Sequence, residues 1–287
     1  MYRAKVKNYL SLVKFAHTIF ALPFALIGYF MATKADGYLF SWNSLLLVLL
    51  CMLFARNAAM SFNRYADRMF DGLNPRTSGR EIPASVIKPG AALAFTIINS
   101  ILFVIATWFI NRICFWLSPV ALAVILGYSY SKRYTVLAHF ILGLGLSLAP
   151  AGAYLAVAGH FSVLPIVLSL SVLLWVSGFD IIYALQDDAF DRLQSLHSLP
   201  ALLGRKKALI LSAILHCIVA MLLFWMGHTG NFGEIYWVGY AIFAGLLFYQ
   251  HFLVQPFDLS KVNVAFFTLN GIASILFATL TIADLFF

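Results

Sequence analysis

Residues 163–191 read V-L-P-I-V-L-S-L-S-V-L-L-W-V-S-G-F-D-I-I-Y-A-L-Q-D-D-A-F-D. Residues 163–184 are long and apolar enough to cross a bilayer as a helix, which takes about 20 such residues. The stretch then ends in Asp187, Asp188 and Asp191. A second apolar run ends the same way, in N-R-Y-A-D-R-M-F-D over residues 63–71, with Asp67 and Asp71. Both endings contain D-x-x-F-D. Together with Asp180, these carboxylates make up more than half of the chain's 11 acidic residues. Ionisable groups at membrane depth are expensive and mark function by default.

The rest of the chain supports a membrane protein. Of its 287 residues, 62% are hydrophobic and 10% are charged, against roughly 25% charged in soluble domains. Nine helices are predicted, over 15–32, 43–64, 91–110, 113–130, 136–158, 163–184, 208–227, 235–254 and 264–284. Very short links join helices 3 to 4 and 5 to 6, which predicts antiparallel hairpins. The apolar run after Arg3, Lys5, Lys7 and Lys14 is too long for a signal-peptide core and reads as a retained membrane helix. The prediction is a single transmembrane domain over residues 1–287. Cys51, Cys114 and Cys217 stand singly and read as buried small hydrophobes.

Charge sets the orientation. Apart from Lys34, Arg112 and Arg56, every Lys and Arg falls at the N-terminus or in the loops 2–3, 4–5, 6–7 and 8–9. The positive-inside rule then puts the N-terminus and both acidic runs in the cytoplasm and the C-terminus outside. The net charge of +8 follows from this topology and from anionic lipid, and implies no nucleic-acid partner.

Asn63, Asp67 and Asp71 are spaced i, i+4, i+8, which stacks them on one helix face. Asp187 and Asp191 repeat the spacing of four, and the shared pattern suggests an internal duplication. Carboxylates so placed repel unless a cation lies between them. Magnesium prefers hard oxygen ligands and is often shared between carboxylates and phosphates, so two such walls suit a diphosphate held through magnesium. Arg76 and Arg80 follow the first run, and Lys132 and Arg133 follow Tyr128 in Y-S-Y-S-K-R. Such cations stabilise the charge on departing diphosphate. Arg64, Arg192, Arg205, Lys206 and Lys207 read as topogenic charge. Arg56, about two turns before Asn63, binds a substrate carboxylate or forms an ion pair, for which Asp180 is a partner. His17 lies in F-A-H-T-I-F-A-L-P-F-A, where Pro23 is expected to kink the first helix.

These segments resemble the signatures of the UbiA family of intramembrane aromatic prenyltransferases. N-R-Y-A-D-R-M-F-D-G-L-N-P-R-T-S-G-R (63–80) resembles the first. D-I-I-Y-A-L-Q-D-D-A-F-D-R-L-Q-S-L-H-S-L-P (180–200) resembles the second, and Y-S-Y-S-K-R-Y-T resembles the Tyr-xxx-Lys segment. The resemblance implies an all-α bundle of nine transmembrane helices and magnesium-dependent transfer of a prenyl group from polyprenyl diphosphate to an aromatic ring. It implies that Asn63, Asp67 and Asp71 hold one Mg2+ and that Asp187 and Asp191 hold another. Lys132 and Tyr128 would assist diphosphate departure, and Arg80, with Arg76 beside it, would contact phosphate. Arg56, Asp180 and His17 are the candidates for binding the aromatic acid.

The second signature resembles the quinone-synthesis branch, whose acceptors are 4-hydroxybenzoate or, in the futalosine route to menaquinone, 1,4-dihydroxy-6-naphthoate. Ser195 stands where the family usually has Gly, Leu202 where a basic residue is frequent, and Ala84-Ser85 where a small-Gly pair is usual. A cation-coupled transporter is the competing class. Transporters place ionisable groups near the midplane, whereas these acids lie at cytoplasmic helix ends beside basic loops. Oligomeric state and prenyl chain length are not encoded in any motif.

Overall fold

The computed structural model describes residues 8, 9, 11–13 and 20–287. His17 and the basic residues before it lie outside the described residues. Among the described residues the chain is helical without a strand. We number the α-helices α1 (Leu22–Phe30), α2 (Trp42–Ala66), α3 (Arg68–Leu73), α4 (Pro89–Ile110), α5 (Arg112–Ser131), α6 (Ala138–Ala158), α7 (Val163–Ala184), α8 (Asp188–Leu193), α9 (Leu199–Leu203), α10 (Arg205–Thr229), α11 (Glu234–Leu253) and α12 (Asn270–Asp284). Wider π turns extend α1 over Met31–Ala35 and precede α12 over Val264–Leu269.

Seven helices among the described residues are long and apolar enough to cross a membrane, and Leu22–Ala35 is a shorter apolar helix. The helix over Glu234–Leu253 is long but falls outside those seven. Its glutamate, histidine, glutamine and tyrosines dilute its apolar content. This is an integral membrane protein, and its large exposed side chains, such as Trp108, Trp116, Phe252 and Met221, are what lipid requires.

Two compact units divide the chain. One comprises the described residues up to 13 with Leu45–Tyr130, the other residues 20–44 with Ser131–Phe287. In the first, Ser61 Oγ donates to Ala92 O at 2.8 Å and Asn57 Nδ2 to Asn99 Oδ1 at 3.1 Å, so polar side chains fasten α2 to α4. The link between α4 and α5 is a single residue, Asn111, whose Oδ1 accepts from Cys114 N. Beside it the Trp108 and Phe115 rings meet edge to face. Leu12, Ile82, Ile87 and Ala92 form a small core under the loop that follows α3.

In the second unit α6 lies along α7, α7 against α10, α11 against α12, and α1 against α6. The expected α6–α7 hairpin forms, turning at Gly159 with φ 72°, a left-handed backbone that glycine adopts without steric cost. Close approach is built on small residues, as in membrane bundles generally. A Cβ on Gly143 would fall on Leu173 O, and one on Gly28 on Pro150 O. Trp175, Phe24, Phe179, Phe243 and Phe277 fill the core. A closed ring of hydrogen bonds crosses it. Trp175 Nε1 donates to Asn270 Oδ1, Asn270 Nδ2 to Gln250 Oε1, Gln250 Nε2 to His216 Nδ1, and His216 Nε2 to Trp175 O. Every buried polar group in that ring finds a partner, as lipid demands.

Pro23 lies in the first turn of α1, where its missing N–H costs nothing; the helix expected from residue 15, in which it would be a kink, begins outside the described residues. Two expectations need correction. Cys217 is exposed and Cys51 half-buried, while Cys114 is buried; an apolar residue on a membrane helix can face lipid as easily as the core. The acidic runs are not straight helix ends. α2 stops at Ala66 and a new short helix begins at Arg68; α7 passes through a 3-10 turn, Leu185–Asp187, before α8.

Candidate active site

Asp67 and Asp187 sit at these two breaks in nearly the same backbone conformation, φ −91°, ψ 4° and φ −108°, ψ 3°. This is the bridge region, sparsely populated and common at functional residues. A six-residue helix follows each, R-M-F-D-G-L and D-A-F-D-R-L. The D-x-x-F-D likeness in sequence is therefore also a likeness in local structure.

In the first unit the ladder survives the break. Asp67 N donates to Asn63 O at 2.9 Å and Asp71 N to Asp67 O at 2.8 Å. Asn63 Nδ2 donates to Asp67 Oδ2 at 3.0 Å, so the spacing of four brings these side chains together. Arg80 Nη1 lies 2.6 Å from Asp71 Oδ1, and Thr77 Oγ1 donates to Asp71 O. The loop over 74–88 thus folds back onto the acidic helix. Arg64, 3.9 Å from Glu81, and Ser11, donating to Glu81 at 2.5 Å, hold it from beneath. Asp71 is 5% exposed, and its Oδ2 has no hydrogen-bond partner among the described residues. Arg76 is exposed; its backbone N donates to Asn74 Oδ1. Arg56 lies inside α2, half-buried. Tyr128 is in the last turn of α5.

In the second unit Asp188 turns away from its neighbours and takes Arg205 in a two-pronged pair, Nε to Oδ2 at 2.9 Å and Nη2 to Oδ1 at 2.8 Å. That geometry is the strong form of a carboxylate–guanidinium contact. Arg205 also donates to Pro256 O, and Arg192 to Ala201 O and Pro200 O. Arg64, Arg192 and Arg205 therefore fasten the loops, a role beyond topogenic charge. Their partners are remote in sequence or are backbone carbonyls, which no spacing announces. Asp191 is 3% exposed. Ser198 hydrogen-bonds it, and Lys132, Asp187 and the His139 ring lie near it. Asp191 Oδ2, like Asp71 Oδ2, has no hydrogen-bond partner among the described residues. Lys132 O accepts from His197 N at 2.7 Å, which ties the segment after α8 to the lysine.

Asp180, two turns before Asp187, carries a partner that sequence reading missed. His139 Nδ1 lies 2.6 Å from Asp180 Oδ2. Nothing in the spacing of residues 139 and 180 announces this pair; only the packing of α6 on α7 creates it.

The two departures from the family pattern that concern glycine have a structural sense. Ser85 has φ 59° and Ser195 φ 54°, both left-handed. A Cβ is disfavoured there, which is why glycine suits those positions.

Buried hard oxygens without a hydrogen-bond donor suit a divalent cation. A carboxylate removed from water is costly unless a charge meets it, and Asp71 and Asp191 each present one such oxygen. Among the described residues no cluster of three or more His, Cys, Asp and Glu side chains forms a metal cage.

The chain belongs to the UbiA prenyltransferase family, whose model matches residues 21–272, and it is a prenyltransferase of that type. It is 31% identical over 241 residues, covering 84% of each chain, to the 4-hydroxybenzoate octaprenyltransferase of Tolumonas auensis. It is 30% identical over 284 residues, covering 97% of each chain, to the enzyme of the same name from Photobacterium profundum. Among solved structures, the apo UbiA homolog from Aeropyrum pernix K1 is 32% identical with a TM-score of 0.85, covering 93% of this chain and 98% of that one. A UbiA homolog from Archaeoglobus fulgidus bound to GPP and Mg2+ has a TM-score of 0.75 at 21% identity, over 98% of this chain and 100% of that one. At that identity the likeness is one of fold.

Proposed function

We propose that this chain, acting as one domain over 1–287, transfers a polyprenyl group from polyprenyl diphosphate to the ring of an aromatic acid, with 4-hydroxybenzoate as acceptor, and that it requires Mg2+. The observation that carries the reading is the pair of buried, partnerless carboxylate oxygens on Asp71 and Asp191. Asn63, Asp67 and Asp71 would hold one ion, Asp187 and Asp191 a second. When bound, the metal neutralises diphosphate charge and makes it a better leaving group.

The residues supply the rest. Arg80 holds Asp71 Oδ1 and so aims Oδ2. Lys132, with Tyr128 one turn before it, donates to the departing diphosphate, and Arg80 and Arg76 contact phosphate oxygens. The C–O bond breaks with its electron pair leaving on the diphosphate. The allylic carbon is attacked by an electron-rich ring carbon, and loss of that carbon's proton restores aromaticity. Apolar helices exclude water, which would otherwise quench the cation. Arg56 binds the acid's carboxylate, with Asp180 and His17 the other acceptor-binding candidates.

The distribution of Lys and Arg supports a bacterial cytoplasmic membrane location, with the acidic runs on the cytoplasmic side and the C-terminus outside. It also supports nine crossings, with α1 and α11 added to the seven apolar helices.

The test is a transfer assay with purified protein, Mg2+ and polyprenyl diphosphate, run with 4-hydroxybenzoate and with 1,4-dihydroxy-6-naphthoate, each with an EDTA control. Metal-dependent product with 4-hydroxybenzoate supports the reading. Product with the naphthoate alone moves the acceptor to the futalosine route, and no product with either acid overturns the aromatic-acid assignment.

A further inference from the structure

His139 is fully buried, 0% exposed, at the start of α6. Leu199 N donates to its Nε2 at 3.4 Å. A ring nitrogen that accepts cannot carry the proton, so Nδ1 carries it and donates to Asp180 Oδ2 at 2.6 Å. Ser177 Oγ donates to His139 O, which pins the same turn of α6 to α7, and Gly143 one turn on lets the two backbones close up. The imidazole therefore has no freedom to reorient. The Asp180 side chain keeps 12% exposure, and its Oδ1 has no hydrogen-bond partner among the described residues. One oxygen is fixed by the histidine, and the other is left for something else.

We propose that His139 is a positioning residue that holds Asp180 so that Oδ1 takes the proton of the acceptor's ring hydroxyl. This rests on the aromatic-acid reading above. A phenol ring attacks best when its oxygen gives up its proton, because the freed electron pair raises density at the ortho carbon. The acceptor O–H bond breaks toward Asp180 Oδ1. The allylic C–O bond breaks, its electron pair leaving on the diphosphate, and the ortho carbon forms the C–C bond to the resulting cation. The ring carbon's proton departs with the diphosphate and Asp180 returns its proton to the ring oxygen. The ring-prenylated phenol, diphosphate and one proton are the net products. His139 also touches the segment after α8. Leu199 follows Ser198, the hydrogen-bond partner of Asp191, and His197 is tied to Lys132. The same imidazole thus registers Asp180 against the loop that carries Asp191's partner.

The test uses the full chain and four proteins: wild type, His139→Leu, His139→Gln and Asp180→Asn. For the acid that turns over and for its deoxy analogue, binding is measured alongside kcat and both KM values. Wild type is expected to prefer the hydroxy acid by about tenfold or more, the worth of one well-made hydrogen bond to a charged group. Asp180→Asn and His139→Leu are expected to bring the two acids within about threefold and to cut kcat by about 100-fold, the usual size of general-base catalysis. The KM for polyprenyl diphosphate should stay within about twofold. His139→Gln, whose amide both donates and accepts, should recover most of the discrimination.

A His139→Leu protein that still discriminates overturns the proposal, as does one in which both substrates weaken together, since that is a structural role. Should His139→Leu fail to fold, Asp180→Asn and His139→Gln decide by the same ratio. A wild type inactive on every aromatic acid removes the functional reading itself, whereas an active wild type with unaffected variants removes only this inference.

Discussion

Asp71 and Asp191 hold equivalent places in two separate stretches of chain. Each lies four residues after an aspartate in the same bridge-region bend, each is more than nine-tenths buried, and each keeps Oδ2 without a hydrogen-bond partner among the described residues. Replacing either by Asn keeps the shape and removes the charge. Turnover should fall by more than about 100-fold, as expected when charge stabilisation of a leaving group is lost. The melting temperature of Asp191→Asn without Mg2+ should hold or rise, because a buried carboxylate is costly when no cation meets it, whereas Asp71→Asn also breaks the pair with Arg80 and should lower it. Prenyl transfer and thermal unfolding with and without Mg2+ check both halves. A variant retaining most of its activity would rule out the metal assignment.

Arg80 is the counter-charge of Asp71 at 2.6 Å. Arg80→Ala should lower stability by about 1–3 kcal/mol, the cost of leaving a charged hydrogen bond unmade, and raise the KM for polyprenyl diphosphate. Adding Asp71→Asn should restore part of that stability, since the stranded charge is gone. A double-mutant cycle on thermal unfolding measures the coupling.

The Asp188–Arg205 pair clamps α8 to the start of α10. Arg205 is more than a third exposed, so Arg205→Ala should cost only about 1 kcal/mol after solvent screening. The larger effect is local. Hydrogen exchange over 187–199 should quicken and kcat should fall. Arg205→Lys should not rescue, because an ammonium cannot reproduce the fork.

Ser85 and Ser195 carry left-handed backbone that glycine would relieve. The strain is worth roughly 1–2 kcal/mol and glycine's extra chain entropy about 0.5–1 kcal/mol. Ser85→Gly and Ser195→Gly should therefore each raise stability by about 0.5–1 kcal/mol, read from thermal unfolding in detergent. Loss of stability in both would refute the strain argument.

Arg56→Ala should raise the KM for the acid acceptor well beyond that for polyprenyl diphosphate. Equal changes in both would mark Arg56 as structural.

The two signatures were legible because their chemistry is local. A spacing of four brings Asn63 and Asp67 together whatever the rest of the chain does, and the glycine-like positions 85 and 195 follow from turns a few residues long. The partners were not legible. Asp180 pairs with His139, Asp188 with Arg205, and Asp71 with Arg80, across separations that no period describes. The breaks at Asp67 and Asp187 were also hidden, since an apolar helix running into a polar segment looks continuous in hydropathy.

The sequence by itself determined that this chain lies in a membrane, where its long helices run to within a few residues, and that its few carboxylates cluster in two short runs after apolar helices. Hydrophobic burial and i, i+4 neighbours are properties of short stretches, so they survive without a fold. The tertiary structure alone decided which oxygen of each carboxylate is committed and which is left over. That is set by side chains arriving from other helices, and it depends on helices approaching as closely as Gly143 and Gly28 permit.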